Sequence, residues 1–164
     1  MKIRPYTILD TAFIVEILNY YIKNDTCLYD YQTRTTEKQH ILFEEKIAKG
    51  FPVLVATINN KIVGVGYYSE FRLKEAYKYT VEHSVYVNST DQGKGVGKLL
   101  LENLIALAKQ QNLHTMIAVI DSENTNSILF HEKFGFSTVG IIKESGFKFN
   151  RWLHNTVMQL VLTY

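Results

Sequence analysis

The sequence is poor in the residues that staple or stiffen a small chain, with one cysteine and two prolines among 164 residues. A single thiol, Cys27, excludes an intrachain disulfide framework. It reads as a small apolar filler in a reduced, cytoplasmic setting. No Cys/His cluster has metal-ligand spacing, so no metal is expected. No apolar run approaches the roughly 20 residues that cross a bilayer. The first ten residues also lack the apolar core of a signal peptide, so no membrane partner is expected. An excess of one charge is missing too: 18 basic against 16 acidic side chains leave +2. That does not supply the concentrated basic face of a nucleic-acid binder. No repeat, low-complexity tract or linker interrupts the chain. The length suits one domain over residues 1–164, large enough for its own core. Aromatic residues are what is abundant, at 13% with eleven Tyr and nine Phe.

The hydrophobic periodicity alternates between 2 and 3.6 along the chain. Residues 2–4 read as a short strand. Thr7, with Asp10 three residues on, reads as the N-cap of a helix carrying Ala12, Ile14, Val15, Ile17 and Leu18. A second helix is expected over 36–49, stopped by Gly50. Strands over 51–58 and 61–69 flank Asn59 and Asn60, a pair suited to a tight hairpin turn. After a charged loop at 71–76, a long strand is expected over 77–88. Strict alternation there puts Tyr77, Tyr79, Val81, His83, Val85 and Val87 on one face, with Glu82, Ser84 and Tyr86 on the other. Residues 95–111 form an amphipathic helix, 114–120 a buried strand, and 124–134 a helix ended by Gly135. Two last strands, 136–142 and 152–163, are expected to be joined by a loop over 143–151. This order predicts a mixed α/β fold, a twisted sheet covered by helices on both faces.

The stretch from Val85 to Leu101 carries the chemistry. A strand ends, a polar turn follows, and Gly93, Gly95 and Gly97 open a helix flanked by Lys94 and Lys98. The first N–H groups of a helix have no intrahelical partner, and its dipole adds positive character, so this is a cradle for a pyrophosphate. The glycine spacing is not that of a dinucleotide-binding fingerprint, and no Gly-Lys-Ser/Thr forms a Walker loop.

Gln92 to Gly97, reading Gln-Gly-Lys-Gly-Val-Gly, resembles the Q/R-x-x-G-x-G/A signature of the GCN5-related N-acetyltransferases. The run from Asn124 to Phe136 resembles the second signature of that family. Tyr79 to Val87, Gly146 to Trp152, Ile3 to Pro5 and Gly50 to Ala56 are similar to its phosphinothricin/methionine sulfoximine acetyltransferases, so the resemblance spans nearly the whole chain. It implies a mostly antiparallel sheet with a splayed central strand pair, and acetyl-CoA as co-substrate. It further implies direct N-acetylation of a small-molecule amine, an amino acid analogue, in a homodimer. A peptide, protein or polyamine acceptor, and a non-catalytic CoA-binding module, stay open as alternatives.

The resemblance assigns roles residue by residue. Gln92, Gly93, Lys94, Gly95, Val96, Gly97 and Lys98 would hold the pyrophosphate, and the backbone of Val85, Tyr86 and Val87 would lie along the pantetheine arm. Asn124 and Ser127 would touch that arm, although Asn124 also suits a helix N-cap. Glu82, a carboxylate in an apolar, aromatic strand, is the candidate general base, unless it faces solvent. His131 stands where many relatives carry a tyrosine that protonates the leaving thiolate, and would do the same or simply pack. Beyond the resemblance, an amino acid acceptor needs donors for its carboxylate: Arg72 and Lys74, in the loop before the tyrosine-rich strand, would serve, or be solvated loop charges. Tyr29, Phe71, Tyr77 and Tyr79 would form walls. His83 reads as a structural histidine, or as part of the pocket if the strand is bulged. Lys148 lies in a loop that would reach the neighbouring subunit's site. No cysteine nucleophile sits near these motifs, so an acetyl-enzyme is not expected.

Overall fold

The computed structural model describes residues 1–162. Seven strands form one sheet: β1 (Lys2–Pro5), β2 (Val53–Ile58), β3 (Lys61–Glu70), β4 (Thr80–Val87), β5 (Thr115–Asp121), β6 (Ser137–Lys148) and β7 (Arg151–Val161), in the spatial order β1-β2-β3-β4-β5-β7-β6. Four helices cover it: α1 (Thr11–Asn24), α2 (Thr36–Ala48), α3 (Val96–Gln110) and α4 (Thr125–Glu132). Every neighbouring pair is antiparallel except β4 and β5, which run parallel. No helix among the described residues is long and apolar enough to cross a membrane.

Two apolar clusters sandwich the sheet. The α3 stripe of Leu100, Leu101, Leu104 and Ala108 is fully buried against Val81, Met116 and Met158. Each such leucine contributes about 1.5–3 kcal/mol by leaving water. The closeness of α3 depends on Gly64 of β3, where an added β-carbon would stand 2.9 Å from Val96 Cγ1 and 3.0 Å from Tyr86 O. On the opposite face Ile14, Leu18, Tyr21 and Phe43, from α1 and α2, pack against Val53, Val55 and Val65. With both faces covered, β3 is buried along nearly its whole length.

Several elements depart from the sequence expectation. Thr7 caps a 3-10 turn (Ile8–Asp10), its N–H donating to Asp10 Oδ2 at 2.8 Å, and α1 begins only at Thr11. Arg4 grips the same Asp10 carboxylate with two bonds of 2.7 Å, tying β1 to the start of α1. Asn59 and Asn60 do adopt φ of 49° and 64°, the values of a two-residue hairpin turn. The strand expected over 77–88 is shorter: Glu75–Tyr77 coil into a 3-10 turn, so Tyr77 and Tyr79 do not share a strand face with Val81. The loop expected over 143–151 is instead a long hairpin. β6 continues to Lys148, turns at Phe149 and Asn150 with φ of 50° and 59°, and returns at once as β7. A kink at Glu144, φ 51°, and a register shift between Ile142 and Gly146 interrupt the alternation that marks a strand. Of the last expected strand, residue 163 lies outside the described residues.

Candidate active site

The site originates in one short pairing. β4 and β5 match only over Thr80–Glu82 and Thr115–Ile117, and then diverge. Asn88 N–H donates to Val63 O at 2.8 Å, and Val87 lies opposite Gly64. Antiparallel alternation therefore turns the backbone of Glu82, Ser84 and Tyr86 toward β3, and that of His83, Val85 and Val87 toward the gap that β5 has left. The gap is a cleft of about 870 Å³, walled by β4, β5, the glycine loop and α4.

At one end the glycine loop opens α3. Gly93 and Gly95 have φ of 75° and 82°, with open space where a side chain would begin. Glycine is required there by backbone conformation rather than by crowding. Gly95 offers no capping side chain, and the first helical amide to return to a carbonyl is that of Leu99, to Gly95 O at 3.1 Å. The amides of Val96, Gly97 and Lys98 thus remain available to an anion, with the helix dipole behind them. Lys94 is tied to Asp91 at 2.7 Å, which holds the Asp91 carboxyl below its ordinary value, whereas Lys98 has only a 3.8 Å approach to Glu102. Gln92 lines the cleft with its side chain already engaged: its amide donates to Tyr21 hydroxyl at 2.7 Å, and that hydroxyl donates to Val87 O. Asn124 caps α4, its Oδ1 accepting from Ser127 N–H at 3.1 Å, and both residues also line the cleft.

On the α1/α2 face, a smaller cavity of about 150 Å³ adjoins the cleft, sharing Thr26, Cys27, His83, Ser84, Tyr86, Val119 and Asp121 with it. Glu82 and Tyr29 line this side cavity. Burial raises the Glu82 pKa above the ordinary carboxylate value, while the charges of Arg72 and Lys46 pull it back. On the other face of β4, His83 stacks against His131 with ring centroids 5.1 Å apart, and Phe136 meets both rings edge-on. Burial, and then the neighbouring His131, push His83 down to about 3, so its imidazole is neutral. His131 is also held below its ordinary value by burial. Its Nδ1 lies 2.6 Å from Ser127 O, which can only accept, so Nδ1 carries the proton and Nε2 presents a lone pair.

The structure does not bring every expected residue to this place. Tyr29, Glu82, His83, Val85, Tyr86, Val87, Asn124, Ser127, His131 and, from the glycine loop, Gln92, Gly93, Gly95, Val96, Gly97 and Lys98 meet at the two cavities, whereas Lys94, paired with Asp91, lines neither. Phe71, Arg72, Lys74, Tyr77 and Tyr79 line neither cavity, and all but half-buried Phe71 are exposed. The Arg72 guanidinium stacks over the Phe71 ring at 5.0 Å. Lys148 is 4% exposed and points inward, donating at 2.6 Å to the carbonyls of both Asp25 and Leu28. Conversely, Cys27, expected to be remote filler, lines both cavities. Burial pushes its thiol well above the ordinary value, which makes it a poor nucleophile. Asp121 and Asn155 were missed entirely; an aspartate ending an apolar strand was the available signal for the first. No group of three or more metal-binding side chains occurs among the described residues.

The family profile of the acetyltransferase (GNAT) domain matches residues 3–157. The chain belongs to the GNAT acetyltransferases. It is an enzyme of the N-acetyltransferase class, which removes the non-catalytic alternative. The L-methionine sulfoximine/L-methionine sulfone acetyltransferase of Salmonella typhimurium is 38% identical over 162 residues, 99% of this chain and 95% of its own. The phosphinothricin N-acetyltransferase of Streptomyces viridochromogenes is 30% identical over 152 residues, 93% of this chain and 82% of its own. A solved acetyltransferase from Salmonella typhimurium, with its cofactor acetyl-CoA, is 37% identical at a TM-score of 0.97, over 100% of this chain and 95% of that one. The GNAT cleft described above fits such a molecule: free helix amides suit a pyrophosphate, and an unpaired strand edge suits an arm containing amides.

Proposed function

We propose that this chain, as a single domain over residues 1–164, transfers an acetyl group from acetyl-CoA to the amino group of a small amino acid analogue. Methionine sulfoximine, methionine sulfone and phosphinothricin are the acceptors that the names of its relatives suggest. The observation that carries the reading is the side cavity holding Glu82, which opens onto the cleft beneath the free edge of β4. Acetyl-CoA, when bound, supplies an activated acyl thioester. The amides that open α3 bind its phosphates, Lys98 adds charge, and the backbone of Val85 and Val87 orients its arm. Glu82 takes the proton that the amine must lose, since a carboxylate with a raised pKa is a better base than an ordinary one. His131, with Nδ1–H fixed on Ser127 O, would take up at Nε2 the second proton that the nitrogen loses and pass it to the thiolate that leaves as the C–S bond breaks. Tyr29 walls the acceptor, and Arg72 lends positive charge near Glu82.

The test is thioester-dependent release of CoA with each of the three acceptors. Glu82→Gln is expected to lower kcat by about 10²–10⁴ and to leave acetyl-CoA affinity unchanged. Unaltered turnover at saturating substrates removes Glu82 from the role.

We further propose a cytoplasmic homodimer built on β6 and β7. β6 is an edge strand that exposes Val139, Ile141 and Ile142, and toward the turn of the hairpin Phe147 meets an exposed Trp152 edge-on at 5.0 Å. Such an apolar, unpaired edge invites a second copy. Light scattering is expected to give twice the chain mass, and Trp152→Glu to move it toward the monomer. A wild-type monomer at micromolar concentration rejects the dimer.

A further inference from the structure

Four buried side-chain polar atoms have no hydrogen-bond partner among the described residues: Nδ1 and Nε2 of His83, Nε2 of His131, and Oδ2 of Asp121. All three residues line the cleft, and Asp121 is the one that brings a carboxylate. Asp121 ends β5 at 4% exposure. Its Oδ1 accepts from Glu123 N–H at 2.9 Å, and Oδ2 has nothing. The nearby guanidinium, Arg151, is committed to Glu123 at 2.7 Å. A buried carboxylate oxygen without a cation or donor is disfavoured unless a ligand completes it.

The register says which face it serves. Glu82 pairs with Ile117 across the parallel contact, so their side chains share a face. Two and four residues on, Val119 and Asp121 lie on that same face, and Asp121 is opposite Asn155 of β7. Glu82, Tyr29, Asn155 and Asp121 accordingly line one side cavity, with the two carboxylates on the two strands that splay apart. A free amino acid arrives with its amino group as an ammonium. Two carboxylates in one cavity can divide the work, one holding that cation while the other takes its proton.

Building on the amino acid reading above, we propose that Asp121 is the ammonium anchor of the acceptor subsite. Oδ2 accepts one N–H of the incoming ammonium and keeps its own charge throughout. The ammonium gives one proton to the Glu82 carboxylate, and the freed electron pair on nitrogen makes the new bond to the acyl carbon; the C–S bond then breaks, and the second proton that nitrogen loses ends on the departing thiolate, leaving a thiol and a neutral amide. Asp121 takes up no proton. After acetylation the nitrogen is a neutral amide, the anchor loses its cation, and the product is released more readily than the substrate.

Asp121→Asn separates charge from shape, because the amide oxygen can still accept from Glu123 N–H. Calorimetric titration of the CoA-saturated enzyme with methionine sulfone, and separately with N-acetylmethionine sulfone, reads the anchor directly. The variant is expected to bind the free amino acid at least about tenfold more weakly and the N-acetyl compound within about twofold of the wild type. In turnover it should raise KM with a smaller change in kcat, the reverse of Glu82→Gln. Equal weakening of both ligands, or of neither, overturns the anchor while the substrate class stands. A wild-type enzyme that binds none of methionine sulfone, methionine sulfoximine and phosphinothricin overturns the substrate class, and the anchor with it.

Discussion

The ring of Tyr29 lies where a side chain on Gly146 would have to go. A β-carbon on Gly146 would stand 2.3 Å from Tyr29 Cε2 and 2.7 Å from Cδ2. The glycine lets the ring press onto the backbone of β6, from which its hydroxyl reaches Asn155 Oδ1 at 2.8 Å. A wall of the side cavity is therefore set by an absent side chain on a strand remote in sequence.

Gly146→Ala should expel that ring. The cost expected from overpacking is about 1–3 kcal/mol, together with a raised KM for the acceptor and an unchanged affinity for acetyl-CoA. Urea unfolding and steady-state kinetics measure the two effects. Tyr29→Leu in the same chain should recover part of the stability but not the KM.

Lys148, two residues further along β6, clamps the same segment. Its ammonium satisfies the carbonyls of Asp25 and Leu28, and Tyr31 hydroxyl donates to Phe147 O nearby. Lys148→Met keeps the apolar stem and leaves two carbonyls without a donor, a loss of about 1–3 kcal/mol. Hydrogen exchange should accelerate across residues 25–31 and stay unchanged in α3. Uniform acceleration through the chain would instead mean global destabilisation without a local clamp.

The pH dependence follows from the Glu82 environment. The base form is the ionised one, and burial raises its pKa, so kcat/KM should fall with acid at a pH above the ordinary carboxylate range. Lys46 and Arg72 favour ionisation. Removing the charge in Lys46→Gln must raise the Glu82 pKa further and move the acidic limb to higher pH. A limb that stays in place, or moves down, separates it from Glu82. Lys46 rests 5.3 Å over the Tyr67 ring, so the variant is also expected to lose a little stability.

Local chemistry made part of the enzyme legible. The amphipathic stripe of α3, the two asparagines of the β2–β3 turn and the glycines before α3 follow from periodicity and from φ, which neighbours in sequence dictate. Glu82 stood out because a carboxylate among apolar strand residues demands a reason. The β6–β7 hairpin escaped detection because the shift between Ile142 and Gly146 breaks the alternation that a strand would display.

The tertiary structure alone decided where the cleft opens. Nothing local marks the end of the β4–β5 pairing at Glu82 and Ile117, because a parallel ladder joins segments more than thirty residues apart. That divergence opens the cavities that Asp121 lines, together with Cys27 from the segment after α1, while Lys148 is turned into a structural clamp by carbonyls 120 and 123 residues earlier in the chain. Sequence by itself settled which residues have the chemistry to bind an anion or move a proton. Long-range pairing, driven by burial of both sheet faces, settled which of them meet.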